Sequence, residues 1–230
     1  KLIIPFLIPF LFFMAFGPKI KWIRDNDKKF SFTQSILLII SIIFSIIILN
    51  QTDVNFLLSI PLIALSIYLF FITIKDFTIK SSSMSQKVSH FGFSLLIFSI
   101  LLNGIFSSEF SSNMKVGEER KFNDKIIKFI KIVSSPGENF NSILAEFTIK
   151  DNNSSITMNP ELRIYNQPQT ITSEADIKTS LYSDNFLVFN VIKEDGYFNV
   201  RYQIKPFMIW IWISALLIGF GGILSFVRKK

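Results

Sequence analysis

The sequence has no cysteine and a single histidine, His90, among its 230 residues. Without cysteine there is no disulfide, no thiolate metal site and no cysteine nucleophile. The stretch from 107 to 205 has neither residue type, and its carboxylates are scattered over predicted strand ends and turns. It also lacks a G-x-S-x-G sequence, a phosphate-binding glycine loop and an H-x-x-E pattern. Catalysis by this stretch alone is not expected, and no catalytic residue is assigned.

Apolar residues are abundant and are bunched into runs. Hydrophobic residues make up 50% of the chain and aromatic residues 15%, with 27 Phe. Bunching of this kind indicates membrane spans, for which about 17 to 25 mostly apolar residues are needed. Five runs qualify, at residues 2–17, 32–49, 54–74, 88–106 and 207–227.

The first run also resembles a signal peptide, because Lys1 precedes it. However, "AFGPK" has no small-x-small cleavage pattern, and basic residues follow immediately, as they do after a stop-transfer segment. We therefore expect a retained span. Since the chain begins without Met, we expect Lys1 to be the start of a fragment.

The net charge of +7 is unevenly distributed. Residues 107–205 carry 12 Lys/Arg against 13 Asp/Glu, whereas the rest of the chain carries 12 against 4. The excess of positive charge therefore lies beside the apolar runs. This position is typical of the loops that flank membrane spans and not of a nucleic-acid-binding surface. If all five runs cross the bilayer, eleven of these twelve basic residues, all but Lys1, fall on one side. The positive-inside rule makes that side cytoplasmic and the long segment extracytoplasmic.

These observations predict a multi-pass α-helical membrane protein of about five transmembrane helices, with an inserted β-rich extracytoplasmic domain. Residues 1–106 are expected to form four transmembrane helices (about 2–17, 32–49, 54–74 and 88–106). Residues 107–205 are expected to form the β-rich domain. Residues 206–230 are expected to form the last transmembrane helix and a basic cytoplasmic tail. Pro206 is expected to separate the last strand from the last helix, because the residue before a proline avoids the helical conformation.

Segments with a period of two, such as "KIIKFIKIV" and "FLVFNVI", alternate with turn sequences between residues 107 and 205. They predict six to eight strands in an antiparallel sandwich or barrel. "KEDGYF" predicts a hairpin turn at Asp195 and Gly196, which tolerate positive φ. We expect "TITSEADIK" to form a short helical turn, capped by Thr172 or Ser173.

His90 lies at the start of the fourth run, in "SHFGFSLLIFSILLNGIFSSE". On a helix it shares a face with Ser94, Ile97, Leu101 and Gly104. Small and polar residues on one face predict packing against other helices, with His90 directed at protein rather than lipid. One interpretation is an interfacial residue bonded to a headgroup or carbonyl. The others are a proton relay or a metal ligand, including a ligand to haem iron.

The last run begins with Trp210 and Trp212 and contains Gly219, Gly221 and Gly222. The two tryptophans are predicted to anchor the helix at the membrane interface. The glycines would allow a second helix to approach closely.

Four motifs, in order along nearly the whole chain, resemble the C-terminal part of the CcmF-type haem-lyase subunit of the cytochrome c maturation system. Two are the histidine-led span "HFGFSLLIFSILLNGIFSSEF" and the last span "KPFMIWIWISALLIGFGGIL". The others are "FGPKIKW" and "ELRIYNQPQTITSEADIKTSLYSDNFLV".

The resemblance implies that His90 is an axial ligand of a haem b, shared with a histidine outside this chain. It implies that the chain is an incomplete part of a holocytochrome c synthase, which attaches haem covalently to apocytochrome c at the outer face of the inner membrane. The implied partners are membrane lipid, the missing N-terminal portion, the haem chaperone, the thiol-handling subunits and apocytochrome c, with no nucleic acid. The implied location is the inner membrane, with the large domain in the periplasm or the intermembrane space.

Two other interpretations remain. In the first, the chain is a non-catalytic scaffold whose β-domain binds a partner protein. In the second, it is half of a transporter. The transporter is disfavoured because no span other than the fourth has an ionisable centre or a paired Gly/Pro break.

Overall fold

A computed structural model describes residues 4–16, 32–52, 56–78, 83–151, 154–192 and 196–228. Within them lie five helices: α1 (Ile4–Phe16), α2 (Phe32–Leu49), α3 (Phe56–Asp76), α4 (Met84–Phe106) and α5 (Met208–Arg228). The last four are long and apolar enough to cross a membrane. With 13 residues, α1 reaches about 20 Å, which is short of the ~30 Å hydrocarbon core. That the first run crosses the membrane stays a prediction, since the residues on both sides of α1 lie outside the described part.

The described helices form one compact unit with residues 1–105 and 210–230, and in it α2 buries small polar residues while exposing large apolar ones. On α2, Ser41 and Ser45 are fully buried, whereas Ile43 and Phe44 are about half exposed. The Ser45 hydroxyl donates a hydrogen bond to the carbonyl of Ile60 on α3, at 3.0 Å. A water-soluble bundle would bury its Ile and Phe side chains first. The reverse arrangement is expected for helices surrounded by lipid, where small residues line the helix contacts.

Basic residues expected in the loop between spans three and four lie partly inside helices. Lys75 is in the last turn of α3, and Lys87 is in the first turn of α4, where it is buried. The reason is that α4 begins before the apolar run. The hydroxyl of Ser83 accepts a hydrogen bond from the Gln86 backbone N–H, which caps the helix at this point. Lys80 lies outside the described residues.

The second compact unit, residues 106–209, is built of strands. Ten are described: β1 (Ser108–Met114), β2 (Glu119–Phe122), β3 (Lys125–Pro136), β4 (Phe140–Lys150), β5 (Ser155–Met158), β6 (Glu161–Asn166), β7 (Gln169–Glu174), β8 (Asp176–Thr179), β9 (Ser183–Val191) and β10 (Phe198–Pro206). One sheet has the order β1-β10-β9-β8, and the other has the order β2-β3-β4-β6-β7, with β5 paired to β4. All the pairings are antiparallel.

The two sheets enclose an aromatic core. Phe129 and Phe147 stack with their ring centroids 4.2 Å apart, and Phe198 meets Phe129 edge-on at 5.8 Å. Tyr202 is fully buried, and its hydroxyl donates a hydrogen bond to Asn185 at 2.6 Å. The expected antiparallel β-rich domain is confirmed, and of the two forms considered it is a sandwich.

Two details of the sandwich differ from the expectations. The number of strands is higher than six to eight. "TITSEADIK" is not helical, because Thr172 and Ser173 lie in β7, which pairs along its whole length with β6, and Asp176 begins β8. Cross-strand hydrogen bonding overrode the weak capping signal. At the expected hairpin, Gly196 has a φ of 76°, whereas Asp195 lies outside the described residues.

Candidate functional site

His90 is in the second turn of α4 and is half-buried. Beside it, the ring of Phe91 packs between Phe70 and Phe77 of the α3 segment, with centroid distances of 5.7 and 5.8 Å. Phe93 meets Phe10 of α1 edge-on at 5.9 Å. These contacts fix the first half of α4 against α1 and α3.

Further along the same face of α4, Ser94 forms a polar contact with α3. Its buried hydroxyl lies 2.7 Å from the Thr73 hydroxyl, so that one of the two donates to the other. Ile97 and Leu101 then join the apolar cluster that includes Leu69 of α3. The prediction that the His90 face packs against protein is therefore confirmed as far as Leu101.

The opposite side of α4 packs closely on α5. The Ser85 hydroxyl donates a hydrogen bond to the carbonyl of Gly221 at 2.7 Å. A Cβ atom at Gly221 would lie 2.8 Å from the backbone nitrogen of Ser89, and one at Gly92 would lie 3.0 Å from that of Ile218. Since real Cβ atoms rarely come so close, only glycine fits this helix crossing without displacing a neighbour.

A close helix approach at the other small residues is not seen among the described residues and stays a prediction. A Cβ atom at Gly104, Gly219 or Gly222 would meet no described heavy atom within 4 Å. Gly219 and Gly222 lie on other sides of α5 than Gly221, since successive helical residues are turned by about 100°. Of the α5 glycines, Gly221 is the one that makes the close approach.

His90 lines a small pocket between three helices. Its other lining residues are Met14 and Ala15 of α1, and Leu69, Ile72, Thr73 and Asp76 of α3. The pocket has a volume of about 10 Å³, which is room for one water molecule. An imidazole, a carboxylate and a hydroxyl therefore share one polar recess in otherwise apolar surroundings.

Asp76 was not singled out from the sequence. The signal was present, because "ITIKDF" ends the third run with an acidic residue shortly before His90 opens the fourth. Two consecutive antiparallel spans place the end of the first and the start of the second at the same membrane face. A carboxylate near a ligating imidazole can accept its second N–H and fix its orientation.

Trp210 and Trp212 lie at the start of α5. Trp210 is half-buried and Trp212 is exposed. Anchoring of α5 at the membrane interface by these two residues stays a prediction.

The charged residues of the sandwich form surface ion pairs. Arg201 donates a hydrogen bond to Glu109 at 2.9 Å, and hydrogen bonds from Arg201 and Gln203 hold the pKa of Glu109 below its usual value. Lys128 pairs with Glu119 at 2.7 Å. In the described ranges no group of three or more His, Cys, Asp or Glu lies close enough to hold a metal ion. His90 and its recess therefore form the candidate site.

Residues 105–206 match a family described as the CcmF C-terminal β-sandwich. The sandwich belongs to the CcmF family. The CcmF-type resemblance of the sequence motifs is thereby confirmed, and the family description agrees with the two-sheet architecture.

Relatives extend the CcmF similarity to the helices. CcmF of Haemophilus influenzae is 24% identical over 243 residues, covering 97% of this chain and 37% of that protein. CcmF of Escherichia coli is 23% identical, covering 95% and 35%. The ccl1 protein of Rhodobacter capsulatus is 33% identical over 117 residues, covering 50% and 18%. The chain thus spans under two fifths of the length of these relatives.

A solved structure named Cytochrome c Heme Lyase CcmF has the same fold, with a TM-score of 0.77 at 14% sequence identity. The similarity covers 96% of this chain and 39% of that one. The fold of a CcmF-type membrane protein carrying a β-rich domain is therefore confirmed for nearly all of the chain.

Proposed function

We propose that this chain serves in cytochrome c maturation as the C-terminal part of a CcmF-type subunit that supports covalent attachment of haem to apocytochrome c. The observation that carries the proposal is the similarity of both the helices and the sandwich, over 96% of the chain, to a structure named as a heme lyase. The finer part of the proposal is that His90 supplies one axial ligand to a haem b.

The residues around His90 fit one ligand of such a site. The imidazole nitrogen is a suitable donor for haem iron, and the residue is only half-buried. The recess that it lines, at about 10 Å³, has room for one water molecule and is too small for a porphyrin. The haem would therefore be held outside this recess, with its second ligand from a histidine outside this chain. When bound, the haem would supply one-electron redox chemistry.

The surroundings of His90 would keep its ring in one place. The Thr73–Ser94 contact on one side of α4 and the Gly221 crossing on the other prevent the helix from rotating or sliding. Asp76 lines the same recess and is the group suited to accept the imidazole N–H that faces away from a metal. We assign Asp76 as a positioning residue and His90 as the ligand.

The partners and location follow from the same proposal. They are membrane lipid, the missing N-terminal portion, the haem chaperone, the thiol-handling subunits and apocytochrome c. The inner membrane is the expected site, with the sandwich in the periplasm or the intermembrane space. The distribution of basic residues supports this orientation, because eleven of the twelve that lie outside 107–205 flank the spans on one side if all five cross.

The test is to co-express this chain with the N-terminal portion, purify the complex and record its optical spectrum. The wild type should show a haem b spectrum, and His90→Ala should lose it, with added imidazole restoring part of it. Gln86→Ala is the matched control, since it lies one turn earlier on the same helix and is exposed. An unchanged spectrum in His90→Ala would show that His90 is not a ligand. A complex that never acquires haem would favour the scaffold.

A second measurement addresses Asp76. Asp76→Asn should retain the haem spectrum and raise the reduction potential, because the imidazole becomes less basic and a nearby negative charge is lost. Asp124→Asn, in the turn between β2 and β3, is the control for the charge change alone. Equal potentials in the wild type and Asp76→Asn would rule out the positioning role while leaving the ligand assignment intact.

A further inference from the structure

The turn between β8 and β9 presents two large side chains to solvent. Leu181 is 60% exposed and Tyr182 is 79% exposed, the highest value among the large hydrophobic residues of the sandwich. They stand next to each other at the tip of a turn that joins Thr179 to Ser183. Single apolar residues are common on protein surfaces, but here two large ones are adjacent on one exposed turn.

The turn is held in a defined shape by one serine. The Ser180 hydroxyl donates to the Ser183 carbonyl at 2.7 Å and accepts from the Ser183 N–H at 3.0 Å. The Ser180 backbone N–H bonds the same carbonyl at 3.0 Å. The hydroxyl and backbone of Ser180 thus close the turn from both sides. Leu181 and Tyr182 are therefore held outward by a rigid support and are not the end of a loose loop.

The turn is bonded to the segment that follows the last strand. The Phe207 backbone N–H donates a hydrogen bond to the carbonyl of Tyr182 at 2.9 Å. Ser183 is the register partner of Pro206. Met208, which follows Phe207, begins the segment Met208–Val227, which is long and apolar enough to cross a membrane. The exposed pair is therefore attached, through Tyr182, to the residue that precedes this segment in the chain.

We propose that Leu181 and Tyr182 form an interfacial anchor, which inserts into the lipid headgroup region on the side of the membrane where the sandwich lies. Tyrosine favours this region because its ring is apolar and its hydroxyl is polar, and leucine adds apolar area. A protein partner is the weaker candidate, because a specific interface uses about 20–30 residues a side and this tip offers two. The anchor would give the sandwich a contact with lipid in addition to its covalent connections to α4 and α5.

This inference depends on the membrane character of the helices and not on the proposed function. Haem binding to His90 and lipid contact by the turn are properties of different parts of the chain. A negative result for haem binding would therefore not contradict the lipid contact, and a negative result for the lipid contact would not contradict haem binding.

Strand β9, which follows the turn, provides a matched control position. Val191, at the far end of β9, is 58% exposed, compared with 60% for Leu181. It pairs with Phe198, the first residue of β10, whereas Ser183 pairs with Pro206, the last. The eight residue steps from Ser183 to Val191 span about 26 Å of extended strand. The two positions thus have nearly equal exposure, but Val191 is at the end of β9 that pairs with the start of β10, away from Pro206.

The absence of cysteine makes site-specific labelling straightforward. Leu181→Cys and Val191→Cys would each be made in the full chain, labelled with a nitroxide and reconstituted into vesicles of phosphatidylcholine and phosphatidylglycerol. Collision of the label with oxygen, which concentrates in lipid, is compared with collision with a water-soluble nickel chelate. The label at 181 should show a gain in oxygen contact and a loss of nickel contact relative to 191. Tyr182→Cys should behave as Leu181→Cys does.

Two results would overturn the anchor. In the first, the labels at 181 and 191 are equally accessible to nickel, so that the turn is in water. In the second, the label at 181 is shielded from both reagents, so that protein and not lipid covers it. Circular dichroism of each labelled variant verifies the fold, and both substitutions are at exposed positions where little packing is lost.

Discussion

Replacing Gly221 by alanine should separate α4 from α5. The added Cβ would lie 2.8 Å from the backbone nitrogen of Ser89, whereas ordinary contact begins at 3.4 Å. The Ser89 hydroxyl lies closer still and can rotate away, but the backbone nitrogen cannot move aside in this way. The helices must move apart by roughly 0.6 Å or more. The hydrogen bond from Ser85 to the Gly221 carbonyl would be lengthened with them. Overpacking of this kind costs about 1–3 kcal/mol.

Gly222→Ala is the reference for this change. Its Cβ meets no described atom within 4 Å, so that it adds the helix propensity of alanine without the steric conflict. Both variants gain the same propensity, about 1 kcal/mol per Gly→Ala change. The difference in unfolding free energy between them therefore isolates the steric term, about 1–3 kcal/mol, with Gly221→Ala the less stable.

The measurement is denaturation of the full chain in mild detergent by increasing fractions of SDS, followed by tryptophan fluorescence. Trp210 and Trp212 lie in α5 itself and report on its release. Distances between spin labels on α4 and α5 would give the separation directly. Equal stabilities for Gly221→Ala and Gly222→Ala would refute the crossing described here.

Three further predictions concern other contacts. Burial raises the pKa of Tyr202 to about 12, above the usual value for tyrosine, so the folded state keeps its proton to a higher pH than the unfolded state. Stability should be constant below pH ~10 and fall by about 3 kcal/mol as the pH rises from ~10 to ~12, and Tyr202→Phe should remove that part of the pH dependence of unfolding. In a double-mutant cycle, Thr73→Val and Ser94→Ala should show a coupling of about 0.6 kcal/mol by SDS denaturation, and additivity would contradict their contact. Replacing Trp210 and Trp212 by Ala should impair insertion depth, measured by lipid-borne quenchers, more than haem content, whereas selective haem loss would contradict interface anchoring.

The helices were predictable because a helix that crosses lipid needs a long run of apolar residues, which is visible in the sequence. The bounds of α2, Phe32–Leu49, coincide with the predicted run. The start of α4 was not predictable from these runs. Ser83 caps the helix, which begins at Met84, four residues ahead of the apolar run, and Lys87 is therefore helical. Local capping chemistry, and not hydropathy, decided that boundary.

The sandwich was predictable as a class but not strand by strand. Long strands such as β4 alternate clearly, whereas β1, "SEFSSNM", has mostly polar residues on both faces and was not recognised. Its strand conformation comes from pairing with β10, which lies some ninety residues away. The same is true of β7, where pairing with β6 determined the structure of a segment whose own residues suggested a helical turn.

The candidate site was half visible in the sequence. His90 stood out as the lone histidine of the chain, and the face it shares with Ser94 was correctly assigned to protein packing. Asp76 and the choice of Gly221 over Gly219 depend on which helices meet and at what rotation. Such tertiary information is absent from the periodicity of a single helix.

The pairing of β1 with β10 has a consequence for how the protein can be taken apart. Ser108 and Ile204 are register partners, and antiparallel partners have Cα atoms about 5 Å apart. The chain thus leaves α4 and returns to α5 through neighbouring points, so that a linker of a few residues could replace all ten strands. The sandwich is in this sense a detachable module, since domains with adjacent ends can be excised or transplanted. A chain without the sandwich could accordingly show which properties belong to the helices and which require the sandwich.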